Sequence, residues 1–124
     1  MIRPGPFSQR FAARFGGRMP TVFQAGAYSA TLHYLKAVKA LDGDADGAAV
    51  VRKMKELPVE DPVFGKGYLR ADGLNMHPRY VFRVKSPEES KSKWDLYQLV
   101  RTIPPEQAFR SMEEGHCPLL AQMK

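Results

Sequence analysis

The chain has 124 residues, of which 44% are hydrophobic, and it carries 19 basic against 13 acidic residues for a formal charge of +6. This length and composition predict one globular domain, 1–124, and argue against wholesale disorder. The sequence has no run of about 18 apolar residues, so no membrane insertion is expected. Its single cysteine, Cys117, excludes an internal disulfide and a multi-cysteine zinc site.

The first part of the chain, 1–20, is a basic segment. Four arginines fall within its first 18 positions: Arg3, Arg10, Arg14 and Arg18. A short helix is predicted from Phe7 to Phe15, because the glycine pair that follows would end it. The segment lacks the apolar stretch of about 7 to 15 residues that a secretory signal needs, so the chain as written is expected to stay in the cytoplasm.

The second part, 21–57, is helical. Its main helix is predicted from Thr21 to Leu41, since no proline interrupts it and apolar residues recur every three or four positions. A second helix is predicted from Gly47 to Leu57, capped by Asp46. More than half of the main helix surface is apolar and should be covered on two sides. Its apolar face contains Tyr28, Leu32, Leu35, Val38 and Leu41, and the neighbouring stripe of mostly small side chains contains Ala27, Ala30, Tyr34 and Ala37.

The third part, 62–104, has the alternating pattern of strands, and the tail is 105–124. A turn at Ala71-Asp72-Gly73 precedes strands predicted at Arg79–Lys85 and Leu96–Ile103, and one or two helical turns are predicted after them. The isolated chain is therefore predicted to be α+β, with about three helices and a few antiparallel strands. The sequence has none of the continuous Val/Ile/Leu runs that mark the central strands of a doubly wound parallel sheet.

No catalytic or metal-binding pattern is present in the sequence. The three histidines, His33, His77 and His116, are far apart, and neither an HExxH motif nor a phosphate-binding glycine loop occurs. Cys117 follows His116 directly, but adjacent side chains seldom face each other, so a small semi-buried cysteine is the better interpretation. We therefore predict no enzymatic activity, no cofactor and no metal.

The positive charge leaves a second interpretation open, a small basic nucleic-acid- or protein-interaction module. Aromatic residues and arginines of the third part could form a base-stacking platform. These aromatics, however, stand at strand-alternation positions, where sheet packing accounts for them. Beyond the first part, basic residues are mixed with acidic ones, which favours a solvated surface. We keep this module as the alternative and expect no nucleic-acid partner.

Gln24 and Tyr28 are the candidate ligand-binding residues. They lie on consecutive turns at the start of the main helix, where an amide and a phenol could face a solute, as such groups do in mostly apolar pockets. Tyr28 is also the first residue of the apolar face, so a purely structural role in the core is the alternative.

Three stretches resemble the end of the leucine-binding-protein type of ABC solute receptor, a type I periplasmic binding fold. They are RFAARFGGRMPTVFQAGAYSATLHYLKAVKAL, VVRKMKELPVEDPVFGKGYLRADGLNMHPRYVFRVKSPEESKSKWDLYQLVRTIP and EQAFRSMEEGHCPLL, and they cover nearly the whole chain from about Arg10 onward. The matching positions are spread along the chain and do not form one short motif, so the resemblance is specific for the family and uninformative about the ligand. The resemblance implies a much longer α/β receptor with two doubly wound lobes that close about a hinge. The chain would be a C-terminal fragment of it.

The same resemblance implies the solute-binding component of an ABC importer for amino acids or related small organic acids, a periplasmic location and an ABC permease as partner. A fragment is expected to bind a small-molecule ligand only together with the missing lobes. It would also leave apolar helix surface and strand edges open. We therefore expect a homodimer, with domain swapping as one route to it, that places the main helix and at least one strand edge at an interface of more than roughly 2,000 Å².

Overall fold

The computed structural model describes residues 5–43 and 46–121. The chain divides into two compact units, Met1–Asn75 and Met76–Lys124. The boundary between the units falls inside the predicted strand part, 62–104, so the strands of that part are divided between the two units. The single domain 1–124 and its division into four parts stay a prediction.

Three helices form most of the first unit, and each was predicted. They are α1 (Pro6–Arg14), α2 (Val22–Ala40) and α3 (Gly47–Glu56). α1 begins at a proline, whose missing N–H is not needed in the first turn, and two glycines with φ of +60° and +77° follow its end. α3 is capped as expected, because the Asp46 carboxylate accepts a hydrogen bond of 2.8 Å from the Ala49 N–H.

The buried side of α2 differs from the predicted apolar face. Its buried residues recur at every fourth position and are Ala25, Ser29, His33 and Ala37. Leu35, predicted to lie in the core, is 54% exposed, and Tyr34 of the small-residue stripe is 45% exposed. α3 and the strand Val59–Asp61 pack on α2 and give its two buried polar residues their hydrogen-bond partners. The expectation that both apolar stripes are covered is therefore wrong within the described part of this chain.

A small three-stranded sheet follows the helices, with strand order β1–β2–β3. The strands are β1 (Val59–Asp61), β2 (Gly65–Leu69) and β3 (Asn75–Met76), and β1 pairs antiparallel with β2. These strands were not predicted from the sequence, because they are short and β2 contains two glycines, which weaken the alternating pattern. The predicted turn is confirmed: Gly73 has φ of +86°, and its N–H donates to the Arg70 carbonyl over 2.8 Å.

The second unit is built on an antiparallel pair, β4 (Arg79–Val84) and β5 (Tyr97–Ile103), with a bulge between Val81 and Phe82. Both strands match the prediction within one residue. A single helical turn, α4 (Pro105–Ala108), a 3-10 helix (Glu113–Gly115) and α5 (Pro118–Ala121) follow. α4 ends at Ala108 because the backbone of Phe109 is extended. The Cζ atom of Arg79 lies 4.7 Å from the centroid of the Phe109 ring.

The predicted α+β class with antiparallel strands is confirmed. Among the residues described, no helix combines the length and the apolar character needed to cross a membrane.

Candidate functional site

The start of α2 is fixed by a capping box. The Thr21 hydroxyl accepts a hydrogen bond of 3.3 Å from the Phe23 N–H, and the Thr21 N–H donates to Gln24 Oε1 over 2.8 Å. This reciprocal arrangement satisfies backbone donors that the first helical turn would otherwise leave open. The Gln24 carbonyl oxygen is thus engaged in the cap, while its exposed side chain still has an amide group that can donate to a ligand.

Tyr28 lies one turn further along α2 and is half-buried. Its ring packs against Phe7 of α1, with the ring centroids 4.7 Å apart and the planes tilted by 45°. Two open hollows adjoin Tyr28. The first, of about 230 Å³, lies between α1 and α2, and the second, of about 360 Å³, runs along α2 past Leu32 and Leu35.

The structure places Gln24 and Tyr28 four positions apart on one side of α2, as the sequence predicted. They do not share a hollow, since Gln24 lines neither of the two beside Tyr28. Gln24 has a clear structural role in the cap, and Tyr28 has one in packing against Phe7. A ligand contact by either residue is therefore a proposal.

Phe23 is a candidate contact residue that was not predicted from the sequence. It lies in the first turn of α2 beside Gln24, and it is 82% exposed. Its neighbour Val22 is 57% exposed. Exposed aromatic side chains next to a polar group are typical of binding surfaces. The available signal was an aromatic residue two positions after the helix cap, outside the apolar face that begins at Tyr28.

Directional contacts from other elements hold α2 in place. The Ser29 hydroxyl donates to Asp61 Oδ2 of β1 over 2.6 Å, and His33 Nε2 hydrogen-bonds the Met54 carbonyl of α3 over 2.8 Å. Near the end of the helix, Lys36 Nζ donates to the Glu60 carbonyl over 2.5 Å. Groups presented by α2 therefore stand on a well-anchored support, as precise binding sites require.

The residues considered for catalysis or metal binding are dispersed. His33 serves the α2–α3 contact, the His77 ring packs against Phe109 with the ring centroids 5.9 Å apart, and His116 is exposed. Cys117 is a half-buried free thiol. Across residues 5–43 and 46–121, no three His, Cys, Asp or Glu side chains come together in a way that could hold a metal ion.

Comparison with known proteins identifies the family. The family profile described as periplasmic binding protein matches residues 5–92. Among solved structures, a periplasmic binding protein from Burkholderia mallei is 42% identical with a TM-score of 0.84, and the match covers 91% of this chain and 29% of that one. A branched chain amino acid ABC transporter periplasmic ligand-binding protein from Burkholderia xenovorans LB400 is 45% identical with a TM-score of 0.80, covering 87% of this chain and 28% of that one.

The chain therefore spans less than a third of the length of either solved protein. No curated protein matches it significantly. The profile match nevertheless covers well over half of the chain, and both solved structures superpose on most of it. The resemblance noted in the sequence is confirmed: the chain belongs to the periplasmic binding protein family, and its α+β fold corresponds to a fragment of that larger fold.

Proposed function

We propose that the chain is part of the solute-binding component of an ABC-type importer for amino acids or related small organic acids. The family match carries this proposal, and the Burkholderia xenovorans relative is itself described as a branched chain amino acid ABC transporter periplasmic ligand-binding protein. On this proposal the chain works in the periplasm with an ABC permease and catalyses no reaction. It binds its ligand only together with the remainder of a receptor, since it corresponds to 28–29% of its solved relatives.

The start of α2 supplies the proposed contacts. The exposed Phe23 ring offers apolar surface, the Gln24 amide can donate to a carboxylate, and the Tyr28 hydroxyl can donate or accept. Binding sites for small molecules combine these elements, a mostly apolar lining with a few oriented polar groups. Covering an exposed phenylalanine contributes about 1.5–3 kcal/mol, which is as much as a hydrogen bond to a charged group.

A chimera tests this proposal. Residues 5–121 replace the matching segment of the Burkholderia xenovorans protein, and calorimetry measures binding of leucine, isoleucine and valine. We expect saturable binding, weakened about 10-fold or more by Phe23→Ala, because roughly 1.4 kcal/mol corresponds to tenfold in affinity. The matched control is Val51→Ala, an exposed apolar residue of α3 that is 49% exposed, which should leave affinity unchanged.

Two outcomes would contradict the proposal. One is a chimera that has a native circular dichroism spectrum but binds none of the three amino acids. The other is a Phe23→Ala chimera whose affinity equals that of Val51→Ala, which would remove the start of α2 from the binding site.

We also propose that the isolated chain forms a homodimer, with domain swapping as one route to it. On α2, Tyr34 and Leu35 are 45% and 54% exposed, and in the strand pair Val84 and Val100 are 67% and 64% exposed. A two-stranded sheet is at best marginally stable alone and has two open edges. Association of identical copies through these surfaces would cover the exposed apolar side chains and the open strand edges. The buried area would be that of an obligate interface, roughly 2,000 Å² or more.

Light scattering coupled to size exclusion measures this directly. We expect twice the chain mass of 14.0 kDa at micromolar concentration. Leu35→Glu should shift the equilibrium toward monomer, whereas Lys39→Glu, an exposed position on the same helix, should not. A stable 14.0 kDa species for the unmodified chain would refute the dimer.

A further inference from the structure

The hollow between α1 and α2 has an aromatic wall. Phe7, Phe11 and Phe15 recur at every fourth position, with ring centroids 6.3 Å apart for the first pair and 4.3 Å for the second, and Tyr28 closes the wall against Phe7. Phe7 is buried, Phe11 is half-buried and Phe15 is 55% exposed. The wall is thus anchored at one end and open at the other, where it offers ring surface to a flat apolar guest.

Two arginines line the same hollow. Arg10 and Arg14 lie one helical turn apart on α1, and both are exposed. Neither forms an ion pair with any residue in the described ranges. The sequence has no acidic residue from Met1 through Leu41, and the first is Asp42. None of the residues that line the hollow is acidic, so a carboxylate entering it would meet two guanidinium groups without a competing acid in the lining.

The size of the hollow limits the ligand. Its volume of about 230 Å³ is below the roughly 300–1,000 Å³ of clefts that hold drug-sized molecules, so the guest is small. We propose that this hollow binds a small aromatic carboxylate, with the ring against the phenylalanine wall and the carboxylate on Arg10 and Arg14. The site shares only Tyr28 with the contacts proposed at the start of α2, and it does not rest on the transport function.

Titration of the ¹⁵N-labelled chain with phenylacetate tests this site by the movement of backbone amide resonances. We expect saturable shifts confined to α1 and the first half of α2. The Kd should be about 6 mM, because a ligand of about ten heavy atoms gains only about 0.3 kcal/mol per atom, or about 3 kcal/mol in all. Acetate, which lacks the ring, and benzyl alcohol, which lacks the charge, should each bind at least about 10-fold more weakly.

Two substitutions separate charge from ring. Arg14→Gln should weaken phenylacetate binding about 10-fold, while Arg52→Gln on α3 removes the same charge elsewhere and should change nothing. Phe11→Leu keeps an apolar side chain in the wall and should abolish the preference for phenylacetate over acetate. Arg14 is exposed, so its variant is expected to fold even if Phe11→Leu does not.

The alternatives are distinct outcomes of the same titration. Inorganic phosphate or acetate binding as tightly as phenylacetate would reduce the site to a general anion site and overturn the proposal. A mixed-sequence oligonucleotide that shifts the same amides more tightly at physiological salt would overturn it in favour of nucleic acid. The absence of saturable shifts at about ten times the expected Kd, or shifts elsewhere in the chain, would also refute it.

Discussion

Replacement of Asp61 by alanine should destabilise the first unit by about 3 kcal/mol. Asp61 lies at the end of β1, and it is 8% exposed. Its Oδ2 accepts a hydrogen bond of 2.6 Å from the Ser29 hydroxyl. Its Oδ1 accepts hydrogen bonds of 2.7 and 2.8 Å from the N–H groups of Val63 and Phe64. One side chain therefore ties α2 to β1 and also orders the turn between β1 and β2.

The expected magnitude follows from what alanine leaves behind. The Ser29 hydroxyl is 3% exposed and would lose its acceptor, and an unsatisfied buried polar group costs about 1–3 kcal/mol. The two backbone N–H groups belong to half-buried residues, so the loss of their acceptor adds about 0.5–1.5 kcal/mol between them. A total near 3 kcal/mol is a large part of the roughly 5–15 kcal/mol that stabilises a domain.

Urea unfolding followed by far-ultraviolet circular dichroism measures the change. Asp61→Asn keeps an oxygen for the turn and should cost only about 1 kcal/mol. Ser29→Ala in the Asp61→Ala background removes the orphaned hydroxyl, so the double variant should be more stable than additivity predicts by about 1–2 kcal/mol. Strict additivity, or a loss below about 1 kcal/mol for Asp61→Ala, would refute this account of how α2 is anchored.

Four other predictions concern charge, backbone conformation and nucleic acid. The hydrogen bond from Arg83 lowers the pKa of Glu89 from an ordinary 4.5 to about 2. The stability that this ion pair gives to the strand pair is therefore complete above pH 4.5 and is lost as pH falls through about 2. A midpoint near 4.5 in a carbon-detected NMR titration of Glu89 would contradict this. Thermal unfolding should show that Gly73→Ala, at φ of +86°, destabilises by about 1 kcal/mol. Gly26→Ala, inside α2 with open space around the added methyl group, should stabilise by about 0.5–1 kcal/mol. Fluorescence anisotropy with a mixed-sequence oligonucleotide should show only weak binding at physiological salt, and submicromolar affinity with a log–log salt slope of about −3 or steeper would favour the nucleic-acid alternative.

The three longer helices and the two longer strands could be predicted from the sequence because their signals are local. The main helix was predicted as Thr21–Leu41 and is observed as Val22–Ala40. Its two ends could be predicted because each depends on only a few neighbouring residues, the capping box at the start and the helix-breaking residues after the end. The strand pair in the second unit was predicted in the same way from its alternation. β1 and β2 were missed because three to five residues, two of them glycine in β2, carry too little pattern.

The orientation of α2 could not be predicted from its periodicity. The apolar pattern placed Leu35 in the core, yet the structure buries Ser29 and His33 and leaves Leu35 54% exposed. The partners that make these polar residues acceptable inside, Asp61 and the Met54 carbonyl, lie 32 and 21 positions away in the sequence. Such hydrogen-bonded pairs form only when the fold brings distant elements together, so the spacing of hydrophobic residues along one helix does not indicate them.

The candidate site was partly predictable for the same reason. Gln24 follows the cap at the third helical position, so its place at the start of α2 could be read directly from the sequence. Phe23 was missed because its exposure depends on what packs around the helix. An aromatic residue in a helix is more often buried than exposed, and only the structure shows that nothing in the described part of this chain covers it.

The hydrogen bonds that anchor α2 also determine which side chains it presents. Apolar contacts are non-directional and would tolerate rotation of the helix about its axis, whereas the bonds of Ser29 and His33 each require one orientation. At about 100° per residue, Phe23 and Gln24 lie more than about 100° around the helix from Ser29, on the side turned away from β1 and α3. The exposure of Phe23 is therefore a consequence of burying Ser29, and the polar pair that stabilises the first unit is also what holds the proposed contact surface open to a ligand.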